Sequence, residues 1–187
     1  IHTVILAAGE GSRMHSKKAK SLQPIGGQSM LKRIYSSVSS ITKETSFVVG
    51  YEKEAVINEI KNFSGINHIC EQEKLIGTAD AVKSALDSIT ADSKVLVLYG
   101  DVPLVRKQTL INLTSVTNES LTILSTELND PTGYGRVKKN ENGSVLSIVE
   151  EKDASEEEKK IKEIFTGILC CNKDLIEEAI SEVKSDN

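Results

Sequence analysis

The stretch that most constrains the fold is an apolar run near the start of the chain, Val4-Ile5-Leu6-Ala7-Ala8, which stops abruptly at glycine. Continuously hydrophobic runs of this length are typical of strands buried on both faces of a parallel sheet. Gly9 and Gly11 follow directly, and glycine adopts the positive φ angles that a tight turn demands. The stretch therefore predicts a buried strand that opens into a glycine-rich turn.

Positive charge is concentrated directly after this turn. The basic side chains there are Arg13, His15, Lys17, Lys18 and Lys20. Because the backbone N–H groups of a glycine turn and neighbouring cations together bind phosphate, the segment predicts a phosphate-binding loop. An ordinary tight turn between a strand and a helix is the alternative, but the spacing of Arg13 and Lys20 favours phosphate binding.

Two known phosphate-binding signatures do not fit this loop. A Walker A motif ends in Gly-Lys-Ser/Thr, which the loop lacks. The dinucleotide-binding fingerprint requires a third glycine at the position where Met14 stands. Both signatures are therefore excluded.

Strand-like and helix-like segments alternate along the chain up to Pro103, which predicts a doubly wound parallel sheet. We expect Ser29 to cap one of the helices and Thr78 another. From residue 120 onwards strand-like segments dominate, and Asn142-Gly143 indicates a hairpin turn. The prediction is an α/β, Rossmann-like fold with a mixed sheet flanked by helices, in a single domain over residues 1–187.

The composition of the chain indicates which classes of molecule it is expected to bind. A net charge of -4, with 39% hydrophobic and 27% charged residues, indicates a soluble globular protein and argues against a general nucleic-acid binder. Without a long apolar run or a signal-peptide pattern, we expect no membrane association and a cytoplasmic location. The cysteines Cys70, Cys170 and Cys171 lack zinc-site spacing and are predicted to be buried, reduced thiols.

A second candidate for the functional site comes directly after another apolar strand. The strand is Val95-Leu96-Val97-Leu98-Tyr99, and Gly100-Asp101 follows it. Ligands of open α/β sheets bind outside the carboxyl ends of the strands. A carboxylate at that edge is a candidate ligand for Mg²⁺, which is often held by one or two carboxylates and substrate phosphates. The alternative role of Asp101 is to cap the turn before Pro103. Its proximity to the phosphate loop favours the metal.

The residues alone do not determine the roles of the other polar segments. Gln72 carries an amide that can pair with the edge of a base, and Gly77-Thr78 offers free N–H groups and a hydroxyl at a helix start. A loop residue and a simple cap explain them equally well. The segment Pro131–Arg136 allows close backbone approach, and Glu150 can bind a sugar diol, but a hairpin turn and a solvated carboxylate are adequate alternatives.

Together these segments resemble one family. In order along the chain they are Leu6-Ala7-Ala8-Gly9-Glu10-Gly11-Ser12-Arg13-Met14, Gln72 with Gly77-Thr78, Leu98-Tyr99-Gly100-Asp101-Val102-Pro103, Asp130-Pro131-Thr132-Gly133-Tyr134-Gly135-Arg136, and Val149-Glu150-Glu151-Lys152-Asp153-Ala154. The chain is similar to the N-terminal pyrophosphorylase domain of the bacterial bifunctional N-acetylglucosamine-1-phosphate uridylyltransferases/glucosamine-1-phosphate acetyltransferases. The similarity runs from about residue 3 to about residue 180, and it implies a GT-A-like nucleotidyltransferase fold.

The resemblance implies a role for each matching position. The nucleotide-binding residues would be Leu6, Ala7, Ala8, Gly9, Gln72, Gly77, Thr78, Tyr99 and Gly100. Arg13 and Lys20 would be the catalytic cations that stabilise the phosphates. Asp101 would bind Mg²⁺ as cofactor, and Gly135 and Glu150 would bind the amino sugar.

The chain departs from the family pattern in two respects. Phe165 stands where the family usually has an asparagine that helps to bind the sugar nucleotide, and a phenylalanine side chain cannot donate that hydrogen bond. The second metal ligand and the acetyltransferase domain of the family lie beyond Asn187, so the domain is expected to be truncated at its C-terminal end. The resemblance further implies that the full-length protein is a homotrimer assembled through that missing domain.

The reaction implied by the resemblance is transfer of UMP from UTP to N-acetylglucosamine 1-phosphate. Its products are UDP-N-acetylglucosamine, a precursor of the cell envelope, and pyrophosphate. One alternative is another sugar-phosphate nucleotidyltransferase, specific for thymidylyl, cytidylyl or guanylyl transfer. The other is a non-catalytic domain that binds a nucleotide sugar. Retention of Arg13, Lys20 and Asp101 argues against the non-catalytic alternative, whereas Phe165 argues mildly for it.

Overall fold

The computed structural model describes residues 1–11, 14, 16, 18–74, 77–116 and 121–183, which fall into two compact units. The first unit contains residues 1–122 and 169–187, and the second contains residues 123–168. Two strands, Thr122–Glu127 and Glu163–Asn172, contribute residues to both units.

The first unit holds the alternating strands and helices. They are β1 (His2–Leu6), β2 (Pro24–Ile25), β3 (Gln28–Ser29), α1 (Met30–Val38), β4 (Glu44–Val49), α2 (Lys53–Ile60), β5 (Ile66–Glu71), α3 (Thr78–Lys83), β6 (Lys94–Tyr99), α4 (Lys107–Ser115) and α5 (Lys173–Glu182). The second unit is built from strands, namely β7 (Thr122–Glu127), β8 (Arg136–Lys139), β9 (Val145–Val149) and the first part of β10 (Glu163–Asn172).

β1 is the central strand of the parallel part of the sheet. It pairs with β4 on one side and β6 on the other, and β5 pairs with β4, all in parallel. Residues 169–172 of β10 pair with β6 in the antiparallel direction. Every residue of β1 is buried, as predicted for the apolar run, but the strand covers His2–Leu6 rather than the predicted Val4–Ala8. The predicted mixed sheet flanked by helices is therefore confirmed.

The parallel register aligns the carboxyl ends of the strands. Leu6 lies opposite both Val48 and Tyr99, and Glu71 lies opposite Val49. Because ligands of open α/β sheets bind at this edge, the loops that leave β1, β5 and β6 start where a site is expected.

Of the two predicted helix caps, one is present in the structure and the other is not. At α1, Ser29 Oγ accepts a hydrogen bond from Lys32 N at 3.0 Å, so this predicted cap is confirmed. At α3 the capping residue is Gly77, and Thr78 is the first helical residue. The prediction for Thr78 is wrong, because Gly77 occupies the capping position and Thr78 already lies inside the helix. The Thr78 hydroxyl accepts a hydrogen bond from the Tyr99 O–H at 3.2 Å.

Two expectations drawn from composition can be compared with the structure. Cys70, Cys170 and Cys171 are all free and buried, as predicted, and burial raises the pKa of the Cys171 thiol to about 11. Such a thiol is unreactive at neutral pH. Among the described residues, no helix combines the length and the apolar composition needed to cross a bilayer.

The second unit contains the hairpin that Asn142-Gly143 indicates. β8 and β9 pair in the antiparallel direction, and Asn140 N donates to Ser144 O at 2.9 Å across the turn. Gly143 has a φ of 81°, the conformation that this kind of turn requires. The hairpin prediction is therefore confirmed.

Buried His2 makes stability depend on pH. Its Nε2 lies 2.7 Å from Ser46 Oγ, and burial lowers the pKa of His2 from 6.5 to about 4. Between these values the unfolded state binds more protons, so the free energy of unfolding falls as the pH drops. We expect a loss of roughly 2 kcal/mol between pH 7 and pH 5, measured by urea denaturation. A His2→Gln variant should lose this slope, and an unchanged slope would contradict the assignment to His2.

Candidate active site

A pocket of about 260 Å³ lies in the first unit at the carboxyl ends of β1, β5 and β6. It is lined by Leu6, Ala7, Ala8, Gly9, Lys20, Ser21, Gln72, Gly77, Thr78, Ala81, Tyr99, Gly100 and Asp101. The structure thus brings together all of the predicted nucleotide-binding residues, the predicted catalytic lysine and the predicted metal ligand. Ser21 and Ala81 are additional lining residues that the sequence did not suggest.

Backbone hydrogen bonds hold the floor of this pocket in place. Ala7 N donates to Val48 O at 2.8 Å, and Gly100 N donates to Leu6 O at 2.8 Å, which extends the sheet pairing beyond β1 and β6. A side chain at Gly100 would place its Cβ 3.1 Å from Leu6 O and 3.3 Å from Ser21 Cβ. The lack of a side chain at Gly100 therefore lets this segment pack closely against the end of β1 and against Ser21.

Lys20 and Asp101 form an ion pair in the pocket, with Lys20 Nζ bonded to Asp101 Oδ2. The side chains are 33% and 29% exposed, so both can meet a ligand. An ion pair that is about one-third exposed contributes little to stability, because solvent screens the charges. The structure therefore places the predicted phosphate-binding cation and the predicted metal ligand in direct contact at one point of the pocket.

Gly11 shapes the loop around Lys20. Its φ is 71°, and a Cβ added there would lie 2.6 Å from Lys20 Cβ and 3.1 Å from Lys20 Cγ. Both the backbone conformation and the lack of a side chain are therefore required for Lys20 to pass close to the loop.

We predict that Gly11→Ala sharply reduces any turnover that depends on Lys20. The substitution adds about 1–2 kcal/mol of backbone strain and also forces the Lys20 stem to move. Gly143→Ala is the matched control, because Gly143 has a similar φ of 81° and nothing within 4 Å of an added Cβ. Thermal denaturation should show destabilisation of both variants, at least as large for Gly11→Ala because of the added contact with Lys20, whereas only Gly11→Ala should lose activity. Equal activity in the two variants would contradict the role of the close contact.

Gln72, which directly follows β5, is buried beside the pocket, and its amide nitrogen is fully engaged. Its Nε2 donates to Gly77 O at 3.1 Å and to Asp80 Oδ2 at 2.9 Å. Asp80 lies in the first turn of α3 and was missed by sequence reasoning. The signal that could have found it is its position one helical turn beyond Gly77, facing back to the loop.

The predicted sugar-binding residues Gly135 and Glu150 lie together in the second unit. A Cβ at Gly135 would lie 3.2 Å from Glu150 Oε1 and 3.0 Å from Ile148 Cγ2. Phe165, the position that departs from the family pattern, donates its backbone N–H to Gly135 O at 2.9 Å. In the structure, Phe165 therefore lies directly beside the predicted sugar-binding residues.

An ion pair between the buried Arg136 and the partly exposed Glu151 supports this loop. Arg136 is 1% exposed and its Nη2 lies 2.6 Å from Glu151 Oε2, while its Nη1 donates to Tyr134 O. The same Glu151 oxygen accepts from Gly133 N at 3.1 Å, and these two hydrogen bonds lower the pKa of Glu151. Sequence reasoning quoted Arg136 and Glu151 only as parts of motifs, and it did not identify the pair that holds the loop.

The donor set around Asp101 fits a metal that arrives with a substrate. Among the described parts of the chain, no group of three or more His, Cys, Asp or Glu side chains is placed to hold a metal ion. Mg²⁺ is commonly held by one or two carboxylates together with substrate phosphates, and Asp101 supplies one carboxylate at the pocket. Arg13, the other predicted catalytic cation, lies outside the described residues.

The pocket lies at the carboxyl edge of the sheet, where α/β proteins that bind nucleotides hold their ligands. Residues 3–135 match the MobA-like NTP transferase domain family, and the chain belongs to this family.

Curated relatives match this chain over its whole length. The chain is 40% identical to the bifunctional protein GlmU of Neisseria meningitidis serogroup B over 188 residues, and 40% identical to that of Francisella tularensis subsp. novicida over 189 residues. In both cases 100% of this chain and 41% of the relative are covered. The chain thus spans about two-fifths of the length of these relatives, and the resemblance found in the sequence is confirmed.

Solved structures agree in fold. A candidate glucose-1-phosphate thymidylyltransferase from Bacillus anthracis superposes with a TM-score of 0.79 at 20% identity, covering 98% of this chain and 76% of that one. HddC from Yersinia pseudotuberculosis gives a TM-score of 0.72 at 23% identity, covering 95% and 79%. At these identities the likeness concerns the fold alone.

Proposed function

We propose that this chain transfers UMP from UTP to N-acetylglucosamine 1-phosphate and releases pyrophosphate. The observation that carries the proposal is the pocket of the first unit, where the residues predicted to bind the nucleotide surround the Lys20–Asp101 pair. The 40% identity to bifunctional GlmU proteins over the whole chain supports this choice of substrates.

The chemistry requires charge stabilisation more than acid–base catalysis. An oxygen of the sugar phosphate attacks the α-phosphorus of UTP, and the bond between that phosphorus and the bridging oxygen to the β-phosphate breaks. Because the attacking oxygen is already anionic, no general base is needed. Lys20 and the N–H groups of the glycine loop would offset the repulsion between the two anionic substrates and stabilise the leaving pyrophosphate.

Asp101 would hold Mg²⁺ jointly with the triphosphate oxygens, and the metal would supply further screening of negative charge at the phosphates. In the structure Asp101 is paired with Lys20, which fixes the carboxylate and the ammonium side by side. The cation that would bind the phosphates and the carboxylate that would bind the metal therefore lie next to each other in the pocket. Arg13 stays the second proposed catalytic cation.

The alternative function is a non-catalytic domain that binds a nucleotide sugar. One observation favours it: Phe165 lies beside Gly135 and offers no side-chain donor to the sugar. The carboxylate of Asp101 beside Lys20 favours catalysis, because binding the anionic diphosphate of a nucleotide sugar calls for cations alone. Gly135 and Glu150 remain the proposed sugar-binding residues in either case.

The wider proposal concerns the full-length protein. By its likeness to the bifunctional GlmU proteins, it would carry an acetyltransferase domain after this one, form a homotrimer through that domain, and make a cell-envelope precursor in the cytoplasm. A size measurement and an acetyl-transfer assay on the full-length protein test this part separately.

Substrate choice is tested by measuring pyrophosphate release. UTP is combined with N-acetylglucosamine 1-phosphate, glucose 1-phosphate or galactose 1-phosphate, and each sugar phosphate is also tested with CTP, GTP and dTTP. We expect the highest kcat/KM with UTP and N-acetylglucosamine 1-phosphate. Higher values with another pair would assign a different transferase, and tight UDP-sugar binding without turnover would favour the non-catalytic alternative.

We predict that Gln72→Ala lowers selectivity for UTP over CTP, because Gln72 is buried beside the pocket and its amide is held in one position. The loss of one hydrogen bond to the correct base should reduce the ratio of the two kcat/KM values by about tenfold. Gln108→Ala, at an exposed glutamine on α4, is the control and should leave the ratio unchanged. An unchanged ratio in Gln72→Ala would remove Gln72 from base recognition.

A further inference from the structure

The contacts of Gln72 determine which end of its amide a ligand meets. The two groups that surround Nε2 are the Gly77 carbonyl oxygen and the Asp80 carboxylate oxygen, at 3.1 and 2.9 Å. A carbonyl and an ionised carboxylate only accept hydrogen bonds, so the side of the amide that faces them must be the NH₂ group. Both amide hydrogens are then used, which leaves the amide oxygen, on the other side of the amide, to meet a ligand in the pocket that Gln72 lines.

We propose that Asp80 is a positioning residue for base selection, which fixes the Gln72 amide so that the pocket presents a hydrogen-bond acceptor. This inference rests on the proposed nucleotide site and names the class of base that it takes. The fixed acceptor selects pyrimidines that carry a proton on N3, namely uracil and thymine, and rejects cytosine.

The chemistry of the bases explains this discrimination. At N3, uracil and thymine have an N–H donor, whereas cytosine has an unprotonated nitrogen that accepts. An amide oxygen bonds to the donor and repels the acceptor. A glutamine that was free to rotate would satisfy either base, because its amide offers a donor and an acceptor of nearly the same shape. A single fixed orientation removes that freedom.

The position of Asp80 suits this role. It lies in the first turn of α3, where the helix dipole favours a negative charge. Gly77, which supplies the other acceptor, caps the same helix, so both acceptors are carried on one rigid element. Gln72 itself is 6% exposed, and an amide buried to this extent takes its orientation from its neighbours.

The proposal is tested by calorimetric titration of UTP and CTP into the whole chain. The wild type should prefer UTP. Asp80→Ala removes one of the two acceptors, and the ratio of the two dissociation constants should fall by about tenfold, mainly through tighter CTP binding. Asp80→Asn can still turn an oxygen towards Gln72 Nε2 and should retain most of the preference. Asp87→Ala, at an exposed aspartate of the following turn, is the control and should bind both nucleotides as the wild type does.

A double variant separates positioning from a structural effect. In a Gln72→Ala background, Asp80→Ala should no longer change the UTP:CTP ratio, because the amide it positions is absent. An unchanged ratio in the single Asp80→Ala variant, or an equal further loss in the double variant, would overturn the proposal. Failure of the proposed function has a different signature: UTP is then preferred in binding, but no pyrophosphate is released with any sugar phosphate.

Discussion

Lys20→Ala should lower kcat/KM for uridylyl transfer by roughly 10²–10³-fold, the usual effect of removing one preorganised charge-stabilising group. The unfolding free energy should change by less than about 1 kcal/mol, because Lys20 is one-third exposed and its ion pair with Asp101 is screened by solvent. The two measurements are a pyrophosphate-release assay and a urea denaturation of the same preparation.

Lys83→Ala provides the control for Lys20. Lys83 is exposed at the end of α3 and does not line the pocket, so its removal should leave both activity and stability near the wild-type values. Near-normal transfer by Lys20→Ala would remove this lysine from phosphate stabilisation. A large loss of stability would show that Lys20 is a structural residue instead.

Asp101→Asn should lower Mg²⁺-dependent turnover by at least about 10²-fold while the fold stays intact, because the amide is a poorer ligand for a hard cation. The structure adds a second expectation. Since Asp101 is bonded to Lys20, the substitution frees the lysine charge for the triphosphate. UTP should therefore bind as tightly or more tightly without Mg²⁺, and Mg²⁺ should no longer strengthen binding.

Calorimetric titration of UTP with and without Mg²⁺ separates this account from simple charge repulsion. Repulsion alone predicts tighter UTP binding in Asp101→Asn with no loss of rate. Asp87→Asn, at an exposed aspartate outside the pocket, is the matched control and should keep the Mg²⁺ effect. If Asp101→Asn keeps full activity at the same Mg²⁺ requirement, Asp101 is a turn residue and the metal assignment is wrong.

Local patterns in the sequence were sufficient for the sheet and for the position of the pocket. The apolar run of β1 predicts a fully buried central strand, and Ser29 predicts the start of α1, because both depend on neighbouring residues only. The rule that ligands bind at the carboxyl ends of strands then predicts that Asp101 lies near the glycine loop at one edge of the sheet.

Contacts between distant residues could not be predicted in this way. Lys20 and Asp101 are 81 positions apart, and nothing in either motif indicates that they pair. Threonine is a residue type that is common at helix N-caps, yet the Thr78 side chain is hydrogen-bonded to the hydroxyl of Tyr99, 21 positions away. Asp80 resembles an ordinary helix-start carboxylate until the Gln72 amide is seen to be bonded to it. Each case depends on the packing of two elements, which single-sequence patterns do not contain.

Uridylyl transfer by this chain is tested most directly by following the α-phosphorus of UTP. The chain is incubated with UTP labelled with ³²P at the α-position, N-acetylglucosamine 1-phosphate and Mg²⁺, and the products are separated by chromatography. The account predicts that the label appears in UDP-N-acetylglucosamine, that the released pyrophosphate is unlabelled, and that Lys20→Ala suppresses both products. Label that remains in UTP while UTP or UDP-N-acetylglucosamine binds tightly would contradict it, and would show a binding domain rather than a transferase.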